Sequence, residues 1–173
     1  MSLYAKLQQR AANNQPIRIG LIGAGKFGSM YLAQIPRTPG VHLVGIADLS
    51  PDAARTNLAR VGWQAERTQA KSAQDAVKTG TTWITDDWHA LVTTPQIDTI
   101  VECTGNPVAA VDHILEASAH GRRWVSVTGE PDARCSTPLR NASALPGIMH
   151  ARAFARHPEP NLRLGARRPC YVC

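Results

Sequence analysis

Between residues 17 and 127, short and almost wholly apolar runs alternate with segments whose apolar positions recur at helical spacing. Residues 17–22 form a mostly apolar, β-branched run that stops at Gly23, which predicts a central parallel strand covered by helices on both faces. A helix is expected over residues 25–35, ended by Pro36, and a second apolar strand over residues 41–47, closing on Asp48. Ser50-Pro51-Asp52 opens another helix, with a capping serine followed by proline at the first helical position, and Ala53, Ala54, Leu58 and Ala59 fall on one side of it.

The same alternation continues with a helix over residues 69–78, a short strand over 82–85 and a short helix over 88–92 before Thr94-Pro95 turns the chain. It ends with a strand over 99–103, a helix over 107–120 carrying Val108, Val111, Leu115 and Ala119, and a strand over 124–127. Alternating strands and helices of this kind predict an α/β fold, a doubly wound parallel sheet. Ahead of it, Ser2 can cap a short helix carrying Leu3, Tyr4 and Leu7, so residues 1–16 read as a helical leader.

After residue 128 the pattern stops. Six prolines and seven arginines are scattered among few large apolar residues, and residues 129–173 read as an irregular tail. One helix over residues 142–155, with Leu145, Ile148, Met149 and Phe154, is the exception, although Pro146 and Gly147 fit poorly inside it. The expected organisation is therefore 1–16 leader, 17–128 domain, 129–173 tail.

Charge refines this picture. The formal net charge of +6 is concentrated in the tail, where seven arginines and no lysine face three acids. Residues 1–128 are nearly balanced, so nucleic acid is not the expected partner of the domain; contact of the tail with phosphate or an acidic partner is the competing reading, and salt-sensitive binding would test it. No run approaches the roughly 18 apolar residues of a membrane span, and residues 1–16 lack an apolar signal core, so no membrane is expected and the expected compartment is the cytoplasm.

Four unevenly spaced cysteines, Cys103, Cys135, Cys170 and Cys173, read as reduced thiols. Cys170 and Cys173 have metal-ligand spacing but lack two further ligands, and no metal is expected. The histidines receive no chemical task, and the four tryptophans read as packing residues.

The chemistry-bearing motif is Gly23-Ala24-Gly25-Lys26-Phe27-Gly28, a G-x-G-x-x-G between a strand and a helix. Gly23 permits the tight turn and Gly25 lets the backbone approach a pyrophosphate. Gly28 lets helix and strand pack closely, and the amides around Lys26 and Phe27 can bind phosphate oxygens. Asp48 follows twenty residues after Gly28 at a strand end, where a carboxylate can accept from both ribose hydroxyls of an adenosine. This is a Rossmann fingerprint for NAD or NADP. The acid would repel a 2′-phosphate, and Leu49 and Ser50 offer no cation, which favours NAD; Arg55 could reverse the preference. Flavin and S-adenosylmethionine are the alternative cofactors.

Residues 17–28 (IRIGLIGAGKFG), 41–48 (VHLVGIAD) and 84–107 (ITDDWHALVTTPQIDTIVECTGNP) resemble the N-terminal NAD(P)-binding domain of homoserine-dehydrogenase-like oxidoreductases. The glucose-fructose oxidoreductase family is similar in arrangement. The resemblance implies that Thr104, Gly105 and Asn106 line the cofactor cleft; a turn at Thr104-Gly105 with Asn106 capping the next helix is compatible with that role. It also implies a dehydrogenase that moves a hydride to or from a carbonyl or alcohol carbon of a small-molecule substrate, in a homo-oligomer. The family's lysine after the fifth strand is absent, for the residues here are Thr128-Gly129-Glu130-Pro131. No catalytic residue is assigned, and Glu130 is a weak substitute. The change in composition and the missing lysine lead to the expectation of a chain cut short or read out of frame after His120. The alternative function is a non-enzymatic dinucleotide-binding or sensing module.

Overall fold

A computed structural model of the chain describes residues 2–127 and 150–152. Helix α1 (Leu3–Ala12) is capped by Ser2, whose hydroxyl accepts from Ala5 N, as its sequence predicts. It is followed by β1 (Ile17–Ile22), α2 (Lys26–Leu32), β2 (Val41–Ala47), α3 (Pro51–Arg60), α4 (Ala73–Thr79), β3 (Trp83–Thr85), α5 (Trp88–Thr93), β4 (Thr99–Glu102), α6 (Pro107–Ala119), β5 (Arg123–Ser126) and β6 (His150–Arg152).

All strands are parallel in the order β3-β2-β1-β4-β5-β6, the expected doubly wound sheet. Their apolar sequences follow from burial on both faces. One face packs Leu21, Leu43 and Val101 against Leu32 of α2 and Ala54 and Leu58 of α3. The other packs Val44 and Ile100 against Ala76 of α4, Leu91 and Val92 of α5, and Ile114 and Ala117 of α6. At the amino-terminal edge Arg18 and Asp98 form a two-point ion pair, with the closer contact at 2.8 Å.

Three elements differ from expectation. The helix expected over 25–35 ends at Leu32, and residues Ile35–Arg37 form a single tight turn instead. The Pro36 ring clashes with a helical carbonyl four residues earlier, which is that of Leu32. The helix expected from residue 69 starts at Ala73, because Ser72 caps it by accepting from Asp75 N and Ala70 instead pairs with Trp83. Within the helix expected over 142–155, residues 150–152 are strand β6, paired with β5 from Trp124 opposite His150 to Ser126 opposite Arg152. Pairing with the open edge of β5 satisfies backbone groups that a helix interrupted by Pro146 and Gly147 would hold poorly. The remainder of that segment, with Thr128, Glu130, Cys135, Cys170 and Cys173, lies outside the described residues.

Register decides where chemistry can gather. Ile22 at the end of β1 is level with Ala47 of β2 on one side and Glu102 of β4 on the other, and Glu102 is level with Ser126 of β5. The carboxyl ends of four strands therefore lie side by side, with the reversal of strand order falling between β1 and β4. In open sheets of this type that crevice is where ligands bind.

Candidate functional site

Each glycine of the loop after β1 meets a different constraint. Gly23 has φ +90°, and a Cβ there would lie 2.9 Å from the backbone of Cys103 and Thr104, so the turn is wedged against the loop after β4. A Cβ on Gly28 would lie 2.3 Å from the Gly23 carbonyl oxygen, which fixes how closely α2 packs on the turn. At Gly25 nothing lies within 4 Å of the corresponding position. The fold does not require a glycine there, and the space in front of it is open. Gly25 is also the N-cap of α2 and has no side chain with which to accept from the first-turn amides. Lys26 and Phe27 begin that turn and are exposed, Phe27 by 55%.

Asp48 stands beside this loop and shapes it. Its Oδ2 accepts from Ala24 N at 2.8 Å and its Oδ1 from Ser50 N at 3.0 Å. A carboxylate offers about four lone-pair sites, so each oxygen keeps capacity for a further donor, and Asp48 is only half-buried. From behind, Asn57 of α3 donates to the Ala24 carbonyl at 2.9 Å, and Ser29 donates to the Gly25 carbonyl at 2.8 Å. Arg55, the cation nearest in sequence, is paired on the surface with Asp52 at 3.0 Å.

Across β1, the loop after β4 is equally constrained. Gly105 has φ +71°, and Asn106 caps α6 by accepting from Val108 N at 3.1 Å and Ala109 N at 3.4 Å, so the capping role is present. Thr104 donates from its backbone N–H to Glu102 Oε1 at 2.9 Å and from its hydroxyl to the same oxygen. Ser126 Oγ donates to Glu102 Oε2 at 3.3 Å. Sequence reading passed over Glu102; the available signal was an acid inside an apolar strand, two residues before a threonine. Cys103 is buried, and burial, with Glu102 adding to it, pushes its thiol up to about 12, so it is a thiol rather than a thiolate at neutral pH.

The structure thus brings Gly23, Gly25, Gly28, Asp48 and Thr104 to one end of the sheet, with Lys26 and Phe27 in the first turn of α2 and Gly105 and Asn106 in the loop after β4. His113 lies apart, buried under α5 with its ring edge-on to Trp88 at 4.5 Å. Among the described residues no group of three metal-ligating side chains comes together, and no helix is long and apolar enough to cross a membrane. The buried tryptophans pack: Trp63 donates to the Leu32 carbonyl at 2.9 Å, and Trp124 is 2% exposed.

The fold is of the Rossmann type, and the comparison with solved structures places the chain, in fold, beside domains of several oxidoreductases. A homoserine dehydrogenase from Thiobacillus denitrificans is 20% identical with a TM-score of 0.60, over 80% of this chain and 29% of that one. A protein of Magnetospirillum magnetotacticum MS-1 assigned to the oxidoreductases is 27% identical with a TM-score of 0.57, over 79% of this chain and 38% of that one. The myo-inositol dehydrogenase of Lactobacillus casei, solved with NAD(H) and myo-inositol, is 15% identical with a TM-score of 0.56, over 78% of this chain and 36% of that one. The chain therefore spans between 29% and 38% of the length of these three structures. No family model matches the sequence, and no curated protein matches it.

Proposed function

We propose that residues 17–128 are the nicotinamide-dinucleotide-binding domain of an NAD(P)-dependent dehydrogenase related to the homoserine-dehydrogenase-like enzymes, with residues 1–16 a leader and 129–173 an irregular tail whose residues 150–152 add strand β6 to the sheet. The observation that carries this reading is the pairing of an open Gly25 with a half-buried Asp48 that retains a free lone pair on each oxygen. Gly25 leaves room for the pyrophosphate against the first turn of α2, where Lys26, Phe27 and Gly28 offer their amides. Asp48 accepts from the adenosine ribose, and Gly23 and Gly28 hold the loop in shape. Thr104, Gly105 and Asn106 border the other half of the cleft.

When bound, a nicotinamide supplies a hydride acceptor or donor for a carbonyl or alcohol carbon. This chain's own residues bind and orient it. A carboxylate at position 48 disfavours a 2′-phosphate, and Arg55 is engaged by Asp52, so NAD is preferred to NADP. Calorimetric titration with NADH and NADPH tests the reading. Wild type binds NADH more tightly, Gly25→Val abolishes binding, and Asp48→Ala removes the preference. A folded sample that binds neither dinucleotide overturns it.

A second reading, a dinucleotide-binding or sensing module without turnover, is favoured by the state of the cleft residues. Thr104 and Asn106 are engaged in loop and cap hydrogen bonds and Cys103 is a buried thiol, so none of them is poised to move a proton. Turnover of candidate alcohols at saturating cofactor separates the two readings.

A further inference from the structure

Glu102 is fully buried, 0% exposed, in a strand whose preceding residues are Thr99, Ile100 and Val101. Among the described residues the ion pairs are Arg18 with Asp98, Arg55 with Asp52, and His89 and His120 with Glu116, so none neutralises Glu102. A carboxylate so placed is costly unless its lone pairs are filled, and an apolar side chain would occupy the same volume at less cost. Its presence there needs a reason.

The hydrogen bonds supply one. Glu102 accepts both donors of Thr104, the Thr104 hydroxyl oxygen in turn accepts from Asn106 N at 3.2 Å, and Asn106 caps α6. On its other oxygen Glu102 accepts from Ser126 of β5. One buried side chain is thus the root of a chain of bonds that runs through residues 104–106 to the start of α6. The same loop abuts Gly23, on the side of β1 opposite Asp48. A dinucleotide with its adenosine ribose at Asp48 and its pyrophosphate at Gly25 lays its nicotinamide half over this loop.

Resting on the proposed dinucleotide reading, we infer that Glu102 is the positioning residue for the nicotinamide half of the cofactor: by holding Thr104 through two hydrogen bonds it sets the loop against which that half docks. It touches no ligand itself. What matters is an acceptor at the right reach, with charge secondary.

The test is titration of the full chain and of Glu102→Gln, Glu102→Asp and Glu102→Ala with NADH and with ADP-ribose, which lacks the nicotinamide, alongside thermal melting. Glu102→Ala leaves Thr104 unheld, and Glu102→Asp is one methylene too short to reach it. Both are expected to weaken NADH about tenfold, the size of losing a hydrogen-bonded anchor, while ADP-ribose changes less than about twofold. Glu102→Gln restores NADH binding, because its amide oxygen can accept both Thr104 bonds and its amide NH2 can donate to Ser126. If Glu102→Ala does not fold, Glu102→Asp carries the same expectation, with ADP-ribose binding as the check on its fold. Variants that bind NADH as wild type does, or that lose both ligands equally, overturn the role of Glu102 and leave the dinucleotide reading standing. A wild type that binds neither ligand, or ADP-ribose alone, overturns the dinucleotide reading and this inference with it.

Discussion

The two strands that flank β1 each end in a carboxylate, and the surroundings of the two acids are opposite. Asp48, just past β2, accepts two backbone N–H groups at 2.8 and 3.0 Å and stays half-buried, its remaining lone pairs reachable. Glu102, the last residue of β4, is fully buried and has its oxygens occupied by Thr104 and Ser126. The difference comes from one step of register. Glu102 is level with Ile22 inside the sheet, whereas Asp48 lies one residue beyond the level of Ala47, where the chain leaves it. A carboxylate within the last sheet layer becomes a strut, and one placed a residue later keeps lone pairs open, as the proposed ribose contact requires. Neither the residue type nor its strand-end position alone distinguishes the two.

The largest effect that probes this contrast is at the glycines. Gly28→Val forces a side chain onto the Gly23 carbonyl and is expected to destabilise by about 3 kcal/mol or more, read by chemical denaturation. Gly25→Val meets only open space and should leave stability within about 0.5 kcal/mol. Equal losses at the two positions would show that the space before Gly25 is not free.

Next come the acids themselves. Glu102→Ala opens a void at the fully buried end of β4 and removes the acceptor of both Thr104 bonds, and should cost about 2 to 4 kcal/mol, whereas Asp48→Ala, at a half-buried side chain, should cost about 1 kcal/mol. A reversed order would break the contrast between the two acids.

Acid sensitivity gives smaller effects. Burial lowers the pKa of His113, outweighing the opposite pulls of Glu102 and Asp112, while His89 adds to the lowering. The folded state therefore holds fewer protons than the unfolded one, and stability present above the ordinary histidine value of about 6.5 is lost as pH falls below it. His113→Leu should flatten that part of a melting-temperature profile. At Asp98 burial acts upward, but the Arg18 hydrogen bonds prevail and the carboxyl sits below its ordinary range. Its contribution is present above about pH 4 and disappears below it, and Asp98→Asn, at a half-exposed pair, should cost about 1 kcal/mol at neutral pH.

Much of this architecture could be read from the chain. Apolar runs bounded by Gly23, Asp48 and Thr104 gave the strands because a parallel sheet covered on both faces needs no polar alternation. Ser2 and Ser50 marked helix starts because their hydroxyls accept from amides three residues on. The end of α2 was misjudged by three residues, since Pro36 acts on the carbonyl of Leu32 rather than at its own position. Strand β6 was illegible: its three residues carry no period, and their pairing depends on an edge formed by a distant segment. The position of Asp48, at a strand end beside the glycine loop, was legible because its spacing from Gly28 is fixed by one helix and one strand. Glu102 was not, because its role depends on which level of the sheet its oxygens occupy.

The pairing of β1 with β4 also bears on how the molecule assembles. Arg18 and Asp98, which close the amino-terminal end of that pair, are 80 residues apart. Loop closure over such a distance is slow relative to forming local helices. Since the turn at Gly23 is held against Cys103 and Thr104, the glycine loop reaches its final shape only after this long-range contact is made. In refolding, recovery of the proposed NADH binding should accordingly trail recovery of helical signal, and a nascent chain that has not yet emitted residue 104 would possess the glycine motif without its final shape.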